Sequence, residues 1–503
     1  MGRTFSAIDL MVVIAYLLGT TLLGVWVGRR QKDAKDYFVA DRAIPWWALM
    51  LSIVATETSA LTFISIPGLA FARDLGFLQV AAGYVIGRVI ISITLLPRYF
   101  DGELVTAYTL LERRFGPATR RFTSIVFMVT RALADSVRVF ATAIPVALIL
   151  GPNVRQDLVM PGAILILGVL TIIYTYRGGM KAVVWTEILQ ASVYVTGGLA
   201  AVVLLGRLVP GGWASILRIG FDAGKFHLID VTPTLRQDHN LWAGLLGGAF
   251  LSMASHGADQ LIVQRLLSAR NLRDARLALV GSGLAVFLQF TLFLMIGVGL
   301  FAFFQTRSFA SSDEVFPTFV LEQMPHGLVG LIVAAIVAAT MSTHSGAINS
   351  LAAATTHDIY LPLSGRKADD PRTLRAGKLF ALLWGIGLTV GALLFKRQGT
   401  PVVVMALGIA SFTYGALLGG FFLAMFSPRA RQRDAIFGMS LGICVMAFVV
   451  FAKPLSAAFP GFGHMLGPLS SIAWPWYVLI GTTITFVSGT LSSRVLPHRD
   501  LAV

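Results

Sequence analysis

Charge is scarce in this sequence: Asp, Glu, Lys and Arg together make up 13% of its 503 residues, about half the share found in soluble domains. Hydrophobic residues make up 56%, and so few charges cannot clothe so much apolar sequence in water. The surrounding medium must be lipid. Cysteine is nearly absent. Cys444 is the only one, which excludes an internal disulfide and any multi-cysteine metal site. Polar linkers are lacking too, so residues 1–503 read as a single transmembrane domain, and the dozen or so residues after Leu491 are too few for a kinase or receiver module. No cofactor fingerprint or nucleophile–base pair stands out, and His256 and His344 lack metal-ligand partners at regular spacing; an enzyme is not expected.

What is present is a series of apolar runs, each long enough to cross a hydrocarbon core of roughly 30 Å. They lie near residues 8–28, 46–71, 76–97, 120–150, 158–176, 183–207, 240–265, 277–305, 326–355, 376–396, 401–426, 433–452 and 472–492. The first ends in Arg29-Arg30-Gln31-Lys32 without a clear small-residue cleavage site, so it reads as a retained helix. The net charge of +15 does not point to nucleic acid, because the cations lack aromatic interleaving. They cluster instead in every second connection: Arg29 to Arg42, Arg113 to Arg121, Arg177 and Lys181, Arg265 to Arg276, Arg366 to Lys378, Arg429 to Arg433, then Arg494 and Arg499, with Lys396-Arg397 as the clearest exception. Cation-rich short loops stay cytoplasmic. The amino terminus is therefore expected outside and the carboxyl terminus inside, and the outer connection from Leu208 to Asn240 has room for a short surface helix.

Polar residues in mid-span mark where a helix breaks, since irregular backbone at membrane depth is tolerated only where it is buried or lines a cavity. The second run contains Ala55-Thr56-Glu57-Thr58-Ser59-Ala60-Leu61-Thr62 and the seventh Ser252-Met253-Ala254-Ser255-His256-Gly257-Ala258-Asp259-Gln260. The two are five runs apart, as expected of two inverted five-helix repeats, each opening on a discontinuous helix. The alternative is that these small residues merely allow close packing. In the ninth run, Ala339, Ser342 and Thr343 could offer a carbonyl and two hydroxyls to a hard cation; back-bonding to the preceding turn is the ordinary fate of such hydroxyls. Ionisable residues within spans, Glu57, Arg88, Arg131, Asp135, Arg138 and His256, are functional candidates by default, although Arg131, Asp135 and Arg138 are spaced to pair on one helix.

Several motifs together resemble the sodium:solute symporter family, whose members carry sugars, proline, sialic acid, vitamins, monocarboxylates and iodide. They are Asp36-Tyr37-Phe38, Ala55 to Gly68, Gly178-Gly179-Met180-Lys181 through Gln190, Asp259-Gln260 with Val263-Gln264-Arg265, Met341-Ser342-Thr343 through Asn349-Ser350, and Asp358-Ile359-Tyr360. The resemblance implies an all-α membrane fold of about thirteen helices with a leucine-transporter-type core. The first repeat would cover 46–207 and the second 240–426, with an extra helix at 8–28 and two more within 433–492. It implies a sodium ion held by the carbonyls of Ala55, Thr58 and Ala339 and the hydroxyls of Ser342 and Thr343. Glu187 stands where the family usually has Asp, Ser345 matches, and Gly346 replaces a hydroxyl, so Glu187 and Ser345 form a second-ion or proton candidate. Thr56, Glu57, Ser59, Thr62, Gln79, His256 and Tyr414 are substrate candidates for a small polar solute: a sugar, amino acid or organic acid. Ala134 stands where sialic-acid carriers place an arginine, which disfavours that solute. The expected function is sodium-coupled uptake by alternating access in the cell membrane, with no nucleic acid and no required protein partner. A proton-coupled carrier using Glu57, Glu187 or His256, and a membrane-embedded sensor, are the rivals.

Overall fold

In lipid every backbone amide and carbonyl must be satisfied within its own segment, which leaves helices as the outcome for long apolar runs. The computed structural model describes residues 5–29, 31–58, 60–102, 104–150, 155–395, 402–452, 455–456, 461 and 463–495. Among them there is no β-strand, only an isolated bridge between Ile44 and Ala269. The principal helices are α1 Ala7–Val27, α2 Trp46–Glu57, α3 Ala60–Ala72, α4 Leu78–Ile93, α5 Pro117–Leu150, α6 Gln156–Leu208, α7 Gly248–Gly257, α8 Gln260–Leu267, α9 Leu272–Phe304, α10 Leu328–Ala354, α11 Pro371–Leu394, α12 Val402–Phe426, α13 Gln432–Val450 and α14 Trp476–Val495. Among the described residues, six helical stretches, in α1, α6, α9, α10 with its continuation, α11 and α13, are long and apolar enough to cross a bilayer by length and composition. The outer connection carries the helix Gly212–Asp222.

Placement follows polarity. α1 exposes Leu10, Met11, Ile14, Leu18, Leu22 and Trp26, an apolar face suited to lipid, whereas every residue of α10 from Ile332 to Ala354 is buried. The one acid of α1 ties the two together. Asp9 accepts from Ser6 at its own helix start and from the amides of Gly327 and Gly330 at 2.6 and 2.9 Å, at the start of α10. A carboxylate there meets unpaired amides and the positive end of the helix dipole.

Both runs with polar centres are interrupted. α2 ends at Glu57, Thr58 turns to extended backbone (φ −75°, ψ 111°), and α3 resumes at Ala60. α7 ends at Gly257, and Asp259 caps α8 by accepting from the Leu261 amide at 2.8 Å. The carbonyl freed at Gly257 is taken by the Tyr99 hydroxyl at 2.5 Å. α6 bends at Gly179 (φ 53°, ψ −148°); a Cβ there would lie 2.3 Å from the Tyr37 carbonyl oxygen, so both conformation and space require glycine. Lys181 pairs with Asp36 beside this bend at 2.5 Å.

Candidate functional site

The break after α2 faces α6, α9 and α10. Val54, Ala55, Thr58, Gln190, Tyr194, Gln289, Ala339 and Ser342 surround a void of about 10 Å³, close to the room one water needs. Four of the five expected sodium donors line it. The fifth, Thr343, is adjacent: its hydroxyl donates to the carbonyls of Ala339 at 3.1 Å and Thr56 at 3.3 Å. Ser342 donates to Glu187 at 3.2 Å. A hydroxyl that gives its proton to a neighbour keeps its lone pairs for a cation, so these bonds leave both oxygens able to ligate. Gln289 donates to Thr58 Oγ1 at 2.8 Å and to the Tyr194 hydroxyl at 3.2 Å, fixing the far wall. Gln190, whose buried side-chain amide has no hydrogen-bond partner among the described residues, was quoted only as part of a motif, and Tyr194 and Gln289 are void-lining polar groups that the sequence did not single out.

Glu187 is fully buried and faces Arg265 of α8, also fully buried. Arg265 Nη2 lies 2.6 Å from Glu187 Oε1 and Nε 3.3 Å from Oε2, and Ser52, Thr56 and Ser342 also donate to the carboxylate. Arg265 is thus no loop cation, as its place at the end of an apolar run suggested; it is the internal counter-ion of Glu187. A Cβ on Gly346 would lie 2.5 Å from Arg265 Nη2. The missing hydroxyl at that position makes way for the guanidinium. Ser345 is buried and donates to the Ser342 carbonyl at 3.0 Å.

A larger cavity of about 250 Å³ opens between the two breaks, with Thr56, Glu57, Thr62, His256 and Tyr414 on its wall. Gln79 is elsewhere, donating to the carbonyls of Gly76 and His239, and Ser59 lies outside the described residues. Glu57 is paired with Arg88 of α4, which also donates to Ser282 at 2.8 Å. His256 Nε2 is 3.7 Å from the same carboxylate, while its Nδ1 contacts Ser255 Oγ at 2.8 Å. A negative charge at the carboxyl end of a helix is unfavourable, and Arg88 offsets it.

The expected pairing among Arg131, Asp135 and Arg138 does not occur. Arg131 pairs with Asp259 and donates to the Tyr414 hydroxyl at 2.8 Å, and Tyr414 in turn donates to Asp259 at 2.6 Å. Asp135 receives His344 Nδ1 at 2.7 Å. Tertiary partners outcompete same-helix neighbours here because they bring fully desolvated, well-aligned bonds. Arg138 lines the cavity.

A break that gathers oxygen donors round a water-sized void, next to a polar cavity within a helical bundle, is the arrangement of an ion-coupled carrier. Comparison with known proteins agrees. The sequence model of the sodium:solute symporter family matches residues 37–442. The chain is 30% identical over 469 residues to the sodium/sialic acid symporter NanT of Aliivibrio fischeri, covering 92% of this chain and 91% of that one. It is 28% identical over 510 residues to the human sodium/iodide cotransporter, covering 99% and 77%. A solved sodium-coupled sialic acid symporter, in a substrate-bound outward-open state, superposes with a TM-score of 0.84 at 26% identity, over 98% of this chain and 99% of the other. The match is therefore one of sequence and of three-dimensional course over nearly the whole length, and this membrane protein belongs to the sodium:solute symporter family.

Proposed function

We propose that this chain couples inward movement of sodium to import of a small polar organic solute by alternating access. The observation that carries the reading is the void at the α2 break, where Ala55, Thr58, Ala339 and Ser342 meet with Thr343 bonded alongside. These are hard oxygen donors with room for one small cation. The solute site in this reading is the neighbouring cavity, with Thr56, Glu57, Thr62, His256 and Tyr414 among its contacts. Thr56 belongs to both regions: its carbonyl accepts from Thr343 while its hydroxyl donates to Glu187. Sodium bound at the void would hold the break in one shape and so favour the form that binds solute.

The thirteen crossings are α1, α2 with α3, α4, α5, the two halves of α6, α7 with α8, and α9 to α14; those from α2 to α6 and from α7 to α12 form two inverted repeats, with α1, α13 and α14 outside them. The amino terminus faces outward and the carboxyl terminus the cytoplasm, from the distribution of loop cations. One sodium crossing about 100 mV gains roughly 2.3 kcal/mol, and a tenfold gradient about 1.4 more. Together these support a solute ratio of a few hundredfold. Sodium is favoured over protons as the coupling ion because Glu57 and Glu187, the acids that could serve a proton carrier, each already hold an arginine counter-ion.

The test is intrinsic tryptophan fluorescence of the purified protein, which has 9 tryptophans, titrated with sodium against potassium at constant ionic strength. A saturable sodium response that disappears in Ser342→Ala/Thr343→Ala is expected. A response to pH alone, equal in native and variant protein, would overturn sodium coupling.

A further inference from the structure

Building on the sodium-coupled reading, we propose that the imported solute is a small organic anion and that Arg138 is the residue that binds its negative charge. Arg138 lines the cavity, and no described residue makes an ion pair or hydrogen bond to its guanidinium. The other charged groups on this wall are matched. Glu57 is held by Arg88, and Arg131 by Asp259 with Tyr414 closing the triangle. Asp135, three residues before Arg138 on α5, directs one carboxylate oxygen at His344 and leaves the other without a hydrogen-bond partner. It attracts Arg138 through space but makes no ion pair or hydrogen bond with it, and it does not line the cavity.

A guanidinium at membrane depth that Asp135 and Asp259 attract only through space, without a direct ion pair, is costly, and five donors in a fixed plane are suited to two acceptor oxygens side by side. A carboxylate supplies them. A cationic solute would meet the opposite situation, because the acids on the wall, Glu57 and Asp259, are each engaged by an arginine. A neutral solute would leave Arg138 as it is. The cavity, at about 250 Å³, has room for a small organic acid. Phe77, Phe290 and Trp474 give it an apolar flank, and His256 with Ser255 gives it polar contacts for the body of the molecule.

The experiment uses the full chain in lipid nanodiscs at constant chloride, with melting followed by tryptophan fluorescence in sodium and in potassium. Three acids are tested against neutral counterparts: pyruvate against pyruvamide, benzoate against benzamide, and N-acetylneuraminate against N-acetylmannosamine. At least one acid is expected to raise the melting temperature in sodium while its counterpart does not. Arg138→Gln should weaken that acid tenfold or more, and Arg138→Lys less, with the sodium-induced shift retained in both as evidence of folding. If Arg138→Gln loses the sodium shift, Arg138→Lys and the acid/neutral pairs on the native chain decide the matter. Equal effects of acids and neutral counterparts, unchanged affinity in the Arg138 variants, or a sodium shift with no acid effect would each overturn the anion assignment. Acids that bind equally in potassium, and equally to Ser342→Ala/Thr343→Ala, would overturn sodium coupling and leave the anion assignment standing.

Discussion

Replacing Glu187 by Gln keeps the shape of the side chain and removes its charge, leaving Arg265 as an uncompensated cation with no exposure to solvent. Breaking a buried pair from one side costs about 3–5 kcal/mol, whereas replacing both partners by apolar groups of similar volume is close to neutral. An unfolding entropy of roughly 2.1 cal/mol/K per residue, over 503 residues, comes to about 1 kcal/mol/K. If the chain unfolds as one unit, Glu187→Gln should therefore lower the melting temperature by about 3–5 °C, and Arg265→Met by a similar amount. The double variant should recover most of the loss. Melting of the four proteins in one detergent, followed by tryptophan fluorescence, completes the cycle. Single variants that melt within about 1 °C of the native chain, or a double variant whose loss is the sum of the two, would refute the view that this pair is mutually compensating.

Three further outcomes follow from the geometry. Gly346→Ser restores a hydroxyl beside Ser345, yet its Cβ would press on a guanidinium held in place by Glu187, Ser52 and the Leu261 carbonyl; a lower melting temperature and an unchanged sodium Hill coefficient are expected. Gly179→Ala places a side chain at φ 53° and 2.3 Å from the Tyr37 carbonyl, costing about 1–3 kcal/mol from the backbone alone, which a melting curve and membrane yield should register. Tyr414→Phe removes one donor to Asp259 and one acceptor from Arg131, a loss of about 1–3 kcal/mol that thermal unfolding should show while the sodium midpoint stays fixed.

The helical character and the two breaks were legible because a polar residue in mid-span is costly in lipid unless it is buried or faces a cavity. The void at the first break was half legible. Helical spacing alone could group Ala339, Ser342 and Thr343, but only resemblance could attach Ala55 and Thr58, since nothing in a one-dimensional pattern says which helices face each other. Charge pairing was legible least. Arg131, Asp135 and Arg138 satisfy a same-helix rule that governs isolated helices, and the bundle supplied Asp259, Tyr414 and His344 instead. Arg265 lies so close to the cations of the next connection that position alone groups it with them, although Gly346 in place of a hydroxyl was a trace of its bulk. Matching by position found Ala134 where sialic-acid carriers have arginine; Arg138, one turn further along the same helix face, lines the cavity, as Arg131 does.

Asp259 has two partners of different kinds: the first turn of α8, which it caps, and the Arg131–Tyr414 couple on α5 and α12. A single carboxylate thus latches a helix start to two other helices. Any motion that drew α5 away from the α7–α8 break would leave Arg131 and Asp259 as a separated buried cation and anion, with only the cap on α8 kept, and each 1.4 kcal/mol of such loss would slow the step about tenfold. The Asp259 latch is therefore a contact that must be exchanged for others before α5 and the α7–α8 break can part.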